Sequence, residues 1–217
     1  MVTLARSSVR SFVKNAVFDR LPGVLRRGPL TSKRVALTFD DGPDDMTPRY
    51  LDTLDNLGVP ATFFLCGRKA AERPELIREY LKRGHQIANH GYDHTRFTKL
   101  SRRQLLEQLE HTDHLIGGQV TGRSWVRPPH GAVDATSLLA LRTAGYVLAL
   151  WSVDSCDYDI HDADQLAEKC SPAAVGAGDV LLFHEGQQWT LQALPRIVAT
   201  LHASGLECVT MQDLFAR

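Results

Sequence analysis

The stretch LTFDDGPDD, residues 37–45, ends a short apolar run (VALTF, 35–39) in two adjacent carboxylates followed by Gly42 and Pro43. Gly and Pro punctuate loops, so an acidic turn would explain part of this pattern. It does not explain why two aspartates stand side by side where a buried strand ends. A strand that is apolar throughout, with no polar alternation, is the signature of a parallel sheet covered on both faces. Further strand candidates, short and largely apolar, fall at 61–65, 86–89, 124–126, 146–153, 179–183 and 206–210.

Between these runs lie segments of helical period at 48–57, 74–83, 101–116, 134–144, 163–170 and 190–204. Ser101 and Gln104 form a capping-box pattern at the start of the third, and Gly145 and Gly205 follow the fourth and sixth. Strands alternating with helices over residues 34–217 predict an α/β fold, a distorted (β/α)7 barrel smaller than the usual eight-stranded form. An open doubly wound sheet is the second arrangement this order allows. No internal repeat or low-complexity tract suggests a further catalytic domain.

The chain has 217 residues, 43% apolar and 23% charged, with no formal net charge, which gives no general bias toward nucleic acid. The charge is unevenly placed: residues 1–34 carry eight bases against one acid, Asp19. Val9, Phe12, Val13, Ala16 and Val17 recur at helical spacing among those bases. Residues 1–33 therefore read as a basic amphipathic leader, with a packed helix and a peripheral membrane contact through residues 1–30 as alternative uses. The leader lacks the apolar core and cleavage site of a signal peptide, and no run of about 18 apolar residues reads as a membrane span. A cytoplasmic or inner-membrane-associated location is the expectation, or a secreted one if the sequence is a piece of an exported protein. Cys66, Cys156, Cys170 and Cys208 show no zinc-finger or disulfide spacing and are expected to be free.

In parallel α/β barrels the chemistry is built at the carboxyl ends of the strands. Five of the seven expected strands deliver titratable groups there: Asp40 and Asp41; His90 and His94; Arg127, before Pro128, Pro129, His130 and Gly131; Asp154, with Asp157 beyond it; and His184. Singly, each has an ordinary structural explanation. Together they supply two imidazoles and a carboxylate for a divalent ion, a spare carboxylate, a further imidazole and a guanidinium. Such a set suits metal-assisted hydrolysis. Side chains of successive strand residues point to opposite faces, but a backbone that turns at the strand end lets Asp40 and Asp41 share one site, one as ligand and one as base.

The ordered motifs TFDDGP (38–43), HGYDH (90–94), RPPHG (127–131), DSCDY (154–158) and LLFH (181–184) closely resemble those of the NodB-homology polysaccharide deacetylases, carbohydrate esterase family four. The resemblance covers residues 34–210. It implies a metal-dependent hydrolase that removes acetyl from N-acetylated sugars or glycans, with zinc as the expected ion and cobalt or nickel as alternatives. Carried over by motif, Asp40 is the catalytic base and Asp41, His90 and His94 are the metal ligands. Arg127 holds and orients Asp40, its positive charge favouring the anion. His184 is the general acid, with Asp154 oriented against it. The backbone N–H after Pro129, that of His130 in the Pro129–Gly131 turn, shares the oxyanion, and Tyr158 belongs to the acyl pocket.

Three positions depart from the family pattern: His130 where Tyr or Phe is usual, Gly91 where Ser or Thr follows the first metal histidine, and Tyr158 where Trp is usual. None removes a catalytic group, but each bears on the substrate. A deformylase or cyclic-amide hydrolase on the same scaffold, a non-catalytic carbohydrate-binding relative, and a structural metal-binding barrel are the competing readings.

Overall fold

The computed structural model describes residues 23–117 and 124–216. The helix expected in the basic leader, read on residues 9–17, lies outside these limits. Among the described residues the strands are β1 (Val24–Leu25), β2 (Arg34–Gly42), β3 (Thr62–Leu65), β4 (Gln86–Asn89), β5 (Trp125–Val126), β6 (Val147–Ala149), β7 (Val153–Asp154), β8 (Val180–His184) and β9 (Glu207–Val209). They form one sheet of order β1-β6-β5-β4-β3-β2-β8-β7, with β9 on β2, and every pair is parallel. β7 ends one side of this path and β6 lies next to the other end, yet only residues 150–152 separate them in the chain. The sheet is therefore curled into a distorted barrel, and the open doubly wound alternative is set aside.

The helices are α1 (Thr47–Leu57), α2 (Gly67–Glu72), α3 (Pro74–Lys82), α4 (Arg102–Leu115), α5 (Ala135–Thr143), α6 (Ala163–Lys169), α7 (Gln188–Ala203) and α8 (Met211–Leu214). Six of these match the expected segments to within two residues at each end. The capping box of α4 is formed, with Ser101 and Gln104 exchanging hydrogen bonds. None of the described helices is long and apolar enough to cross a membrane. All four cysteines are unpaired.

Two expectations need correction. The 146–153 run is two strands, because the carbonyls of Ala149 and Leu150 turn to the Arg127 guanidinium (3.4 and 3.2 Å). The chain then leaves β5 and joins β8, where Ser152 N–H donates to the Val180 carbonyl. The leader boundary at residue 33 also falls too late. Val24 and Leu25 pair with Leu148 and Ala149, so the sheet includes part of the expected leader.

Side-chain alternation sorts the strands into two faces. Val35, Leu37 and Phe39 of β2, Phe63 and Leu65 of β3, and Leu181 and Phe183 of β8 pack outward with Ile197 and Leu201 of α7 and Leu51 and Leu54 of α1. Phe39 stacks on Phe63 and Phe183 at centroid distances of 5.1 and 5.6 Å, and Phe63 meets Tyr80 at 4.6 Å. The alternate residues face the barrel interior, where Ala36, Phe64, Ala88, Ala149, Val180 and Met211 cluster. The parallel register aligns Ala36 with Val180, Thr38 with Leu182, and Asp40 with His184. Asp40 and His184 are thus the top layer of one inward-facing column.

Phe63→Ala empties a fully buried site in this aromatic stack and is expected to cost about 3–5 kcal/mol of unfolding free energy. Leu139→Ser on α5, 63% exposed, is expected to stay within about 0.5 kcal/mol of wild type. Denaturant midpoints of the two variants provide the measurement.

Candidate active site

Arg127 sits at the centre of the barrel with no solvent exposure. Its guanidinium lies 3.9 Å over the Phe64 ring. It donates to Thr38 Oγ1 at 2.8 Å and to Asp40 Oδ1 at 2.7 Å. Burial pulls the Arg127 pKa below its ordinary value, against the attraction of Asp40. Oδ1 of Asp40 is engaged by Arg127, and its Oδ2 lies 3.7 Å from His90 Nε2.

Simple alternation would turn Asp41 away from the interior. The register between β2 and β3 instead shifts between Asp40 and Gly42, and Asp41 adopts a φ of 72°. This bulge inserts one residue and re-aims its side chain. Asp41 therefore faces the same side as Asp40, which is how adjacent aspartates come to share a site.

His90 follows β4, and its Nδ1 donates to the Arg127 carbonyl at 2.8 Å. A carbonyl can only accept, so a neutral His90 carries its proton on Nδ1 and presents the lone pair of Nε2. That Nε2 lies 3.3 Å from Asp41 Oδ1, and His94 Nε2 lies 3.1 Å from the same oxygen. The loop is set by Asn89, which accepts from Gly91 N–H and donates to the Leu109 carbonyl and to Asp113. Gly91, one of the departures from the family pattern, has a φ of 77°, a conformation that glycine adopts without strain.

Asp41 Oδ1 is buried and has no hydrogen-bond partner. Asp41, His90 and His94 each turn one donor atom to a common point, all within 4.8 Å of one another. A carboxylate oxygen that meets nitrogen lone pairs needs a cation between them. This donor set, two imidazoles and one carboxylate with room left over, fits zinc and related ions.

His184 ends β8. Its Nδ1 donates to Asp157 Oδ1 at 2.6 Å, and its backbone N–H donates to Asp157 Oδ2 at 2.7 Å. Thr190 also donates to Oδ2, and the Trp189 indole donates to the Asp157 carbonyl. Burial lowers the His184 pKa, but the Asp157 hydrogen bond and charge, reinforced by Asp40 and Asp41, raise it to about 9. His184 is accordingly an imidazolium at neutral pH.

The carboxylate opposite His184 is thus Asp157, and the expected pairing of His184 with Asp154 is corrected. Asp154 accepts from Cys156 N–H at 2.9 Å and from the Tyr158 hydroxyl at 3.2 Å. The Cys156 φ of 58° reverses the loop between the two aspartates and carries Asp157 inward, where it is fully buried. Both carboxylates were visible in the DSCDY motif, but spacing alone did not choose between them.

Of the remaining expected residues, His130 and Tyr158 border the same cleft, and Pro129 and Gly131 flank His130 in the chain. Pro129, His130 and Gly131 form a tight turn in which His130 (φ 57°) and Gly131 (φ 59°) are both left-handed. Gly131 and Ala132 N–H bond back to the carbonyls of Pro128 and Pro129. The His130 ring lies 4.7 Å from that of His94, and burial, with the neighbouring His94 and Arg96, lowers its pKa. Tyr158 is half exposed and meets His184 edge-on. Asp40, Asp41, His90, His94, His130, Asp154, Tyr158 and His184 all line one cavity of about 450 Å³. Trp151, Leu182 and Gln187 complete its wall. These three escaped the sequence reading because nothing in their local pattern separates them from ordinary strand and loop residues.

Comparison with known proteins agrees with this geometry. A family model described as polysaccharide deacetylase matches residues 27–149. The peptidoglycan-N-acetylglucosamine deacetylase PgdA of Listeria monocytogenes is 35% identical over 188 residues, covering 85% of this chain. The chain spans 39% of the length of that relative. The crystal structure of the Bc1960 peptidoglycan N-acetylglucosamine deacetylase superposes with a TM-score of 0.83 at 31% identity, covering 89% of this chain and 92% of that one. A carbohydrate esterase family four pseudoenzyme from Bacillus anthracis superposes with a TM-score of 0.82 at 26% identity, covering 90% of this chain and 70% of its own. By its motifs, its curled parallel barrel and these matches, the chain belongs to the polysaccharide deacetylase family, the NodB-homology group of carbohydrate esterase family four.

Proposed function

We propose that this chain is a metal-dependent N-deacetylase acting on an N-acetylated amino sugar within a glycan. The observation that carries the reading is the convergence of donor atoms from Asp41, His90 and His94 between a buried carboxylate, Asp40, and an imidazolium, His184, in one cleft. Because a pseudoenzyme has the same fold, the fold alone does not establish catalysis. The complete set of ligands, base and acid is what favours it.

Asp41, His90 and His94 would hold a divalent ion, zinc in this proposal, which would supply Lewis acidity toward an acyl oxygen and make water more acidic. The Asp40 carboxylate accepts the proton of the attacking water, with Arg127 fixing its orientation. The His130 backbone N–H donates to the oxygen on which negative charge develops. His184 gives its Nε2 proton to the departing amine, while Asp157 holds Nδ1 and fixes the ring. Trp151, Leu182 and Tyr158 offer the apolar surface nearest these groups for the acyl methyl. Acetate release from chitooligosaccharides and from peptidoglycan, with zinc, cobalt and nickel compared, tests the activity. No acetate release from either class with any of the three metals would overturn it.

Asp40→Asn is expected to lower kcat by about 10²–10⁴-fold while metal is still bound, as read by metal content after gel filtration. His90→Ala is expected to lose the metal itself, and chelation of wild type to abolish turnover until metal is restored.

The Asp157–His184 pair makes a pH prediction. The folded His184 pKa of about 9 lies above the ordinary imidazole value of 6.5. The stabilisation this pair gives is fully present below about pH 6.5 and is lost as pH rises through about 9. Titrated by NMR in the metal-free protein, the His184 ring should show its midpoint near 9, and Asp157→Asn should move it down. In Asp154→Asn the midpoint should stay close to wild type.

A further inference from the structure

The reaction outlined above leaves the buried acid Glu185 without a task. Glu185 follows His184 and is 4% exposed. Its Oε1 accepts from Thr47 Oγ1 at 2.8 Å, and the Tyr80 hydroxyl lies 2.9 and 2.8 Å from its two carboxyl oxygens. Thr47 Oγ1 in turn accepts from Asp44 N–H at 2.8 Å. The backbone N–H of Glu185 donates to the Asp40 carbonyl at 3.0 Å. One residue and its two hydroxyl partners therefore hold the chain both before and after Asp41.

Gly42 lies between these two anchors. A methyl group on Gly42 would run into Glu185 Oε2 and stand 2.9 Å from the Tyr80 hydroxyl. The bulge is thus seated directly on the Glu185 carboxyl, which explains why only glycine fits there. From the other side, Lys69 Nζ donates to the Asp41 carbonyl at 2.6 Å and Cys66 N–H donates to that of Gly42 at 2.9 Å. Those contacts hold the peptide groups of the bulge, whereas Glu185 blocks the space into which it would relax.

We propose that Glu185, braced by Thr47 and Tyr80, is a positioning residue for the metal ligand Asp41. It holds the Asp41–Gly42 bulge in the left-handed conformation that turns the Asp41 carboxylate toward His90 and His94. The inference rests on the metal reading given under Proposed function. Without a support under Gly42, Asp41 can relax to ordinary strand geometry, which would turn its carboxylate away from the two imidazoles. Burial pushes the Glu185 pKa up to about 8 against the Thr47 and Tyr80 hydrogen bonds. The support is therefore mostly uncharged at neutral pH, and Gln is its conservative replacement.

The test is the affinity of the full chain for Zn²⁺, Co²⁺ and Ni²⁺ by chelator competition, with thermal unfolding of the metal-free protein in parallel. Glu185→Ala is expected to weaken metal binding by about 10–100-fold, the range for groups that orient ligands from behind, and Glu185→Gln to restore most of it. A residue that merely stabilised the fold would lower the melting temperature of the metal-free protein and leave the affinity of the folded fraction unchanged. If Glu185→Ala does not fold, Tyr80→Phe, which removes one hydroxyl and keeps the ring, is expected to weaken binding several-fold. Wild-type affinity in folded Glu185→Ala, or in Tyr80→Phe where that variant stands in, overturns the inference, as does a loss in Glu185→Gln as large as in Glu185→Ala. A wild-type chain that binds none of the three ions overturns the metal reading and this inference with it. Metal binding in wild type with an indifferent Glu185→Ala overturns this inference alone.

Discussion

A guanidinium with no contact to water stands where a barrel of this kind would otherwise be filled with aliphatic side chains. Burying such a charge is costly unless it is paired and its hydrogen bonds are met. Arg127 meets these conditions through Asp40, Thr38, two main-chain carbonyls and the Phe64 ring. Removing one partner of a pair like this is worth about 3–5 kcal/mol because the other charge is stranded. The same contacts shape the fold. Arg127 comes from the end of β5, pairs with β2, and draws the carbonyls that end β6, so the crossing from β6 to β7 depends on it. The group that orients the proposed base is thus also the group around which the barrel is built.

The pair also divides the two aspartates chemically. Asp40 has a permanent cation beside it, hydrogen-bonded to one oxygen, which leaves the second for the role proposed above. Asp41 has no such cation. Its buried oxygen faces two imidazole nitrogens, and Nδ1 of His90 is already committed to the Arg127 carbonyl. Two neighbouring carboxylates with the same intrinsic acidity are thereby given different environments, one compensated by the fold and one suited to an exchangeable ion. Separating like groups by environment is a general way of making one site supply both a ligand and a base.

The sequence carried most of this arrangement because strand ends and helix periods are local features. The residue set at the barrel rim could be read from the ends of apolar runs, and six helices from their periodicity and caps. What it did not carry depends on contacts between distant segments. The 146–153 run reads as one nearly apolar strand, and the carbonyls that break it in two turn to Arg127, some twenty residues earlier. Val24 and Leu25 form too short a run to stand out until β6 offers them an edge. Asp154 and Asp157 have equal claims by spacing, and the choice between them is made by Cys156, a residue whose type gives no hint of a positive φ. The bulge at Asp41 was legible only as a need, since two aspartates had to face one way. Its means, a glycine pressed on Glu185, involves a residue 143 positions away in the chain.

The two aspartates of the fourth motif repeat the logic of the first. Asp157, turned inward, is saturated by His184, Thr190 and the His184 backbone N–H, and this saturation keeps the imidazolium in place. Asp154 remains at the cleft wall, where it ties down Tyr158 and the Cys156 turn. It therefore holds an aromatic of the cavity wall, at one of the positions where this chain departs from its family. Tyr158 and His130 stand on opposite sides of the proposed reacting groups, one beside His184 and the other beside His94. The departures put a phenol where an indole is usual on one side and an imidazole where a phenyl or phenol ring is usual on the other, and neither residue is one of the proposed ligands or proton-transfer groups. In the function proposed above, the reacting groups stand at the strand ends of the barrel, and Tyr158 and His130 are the two wall residues through which its choice of substrate would differ from that of its family.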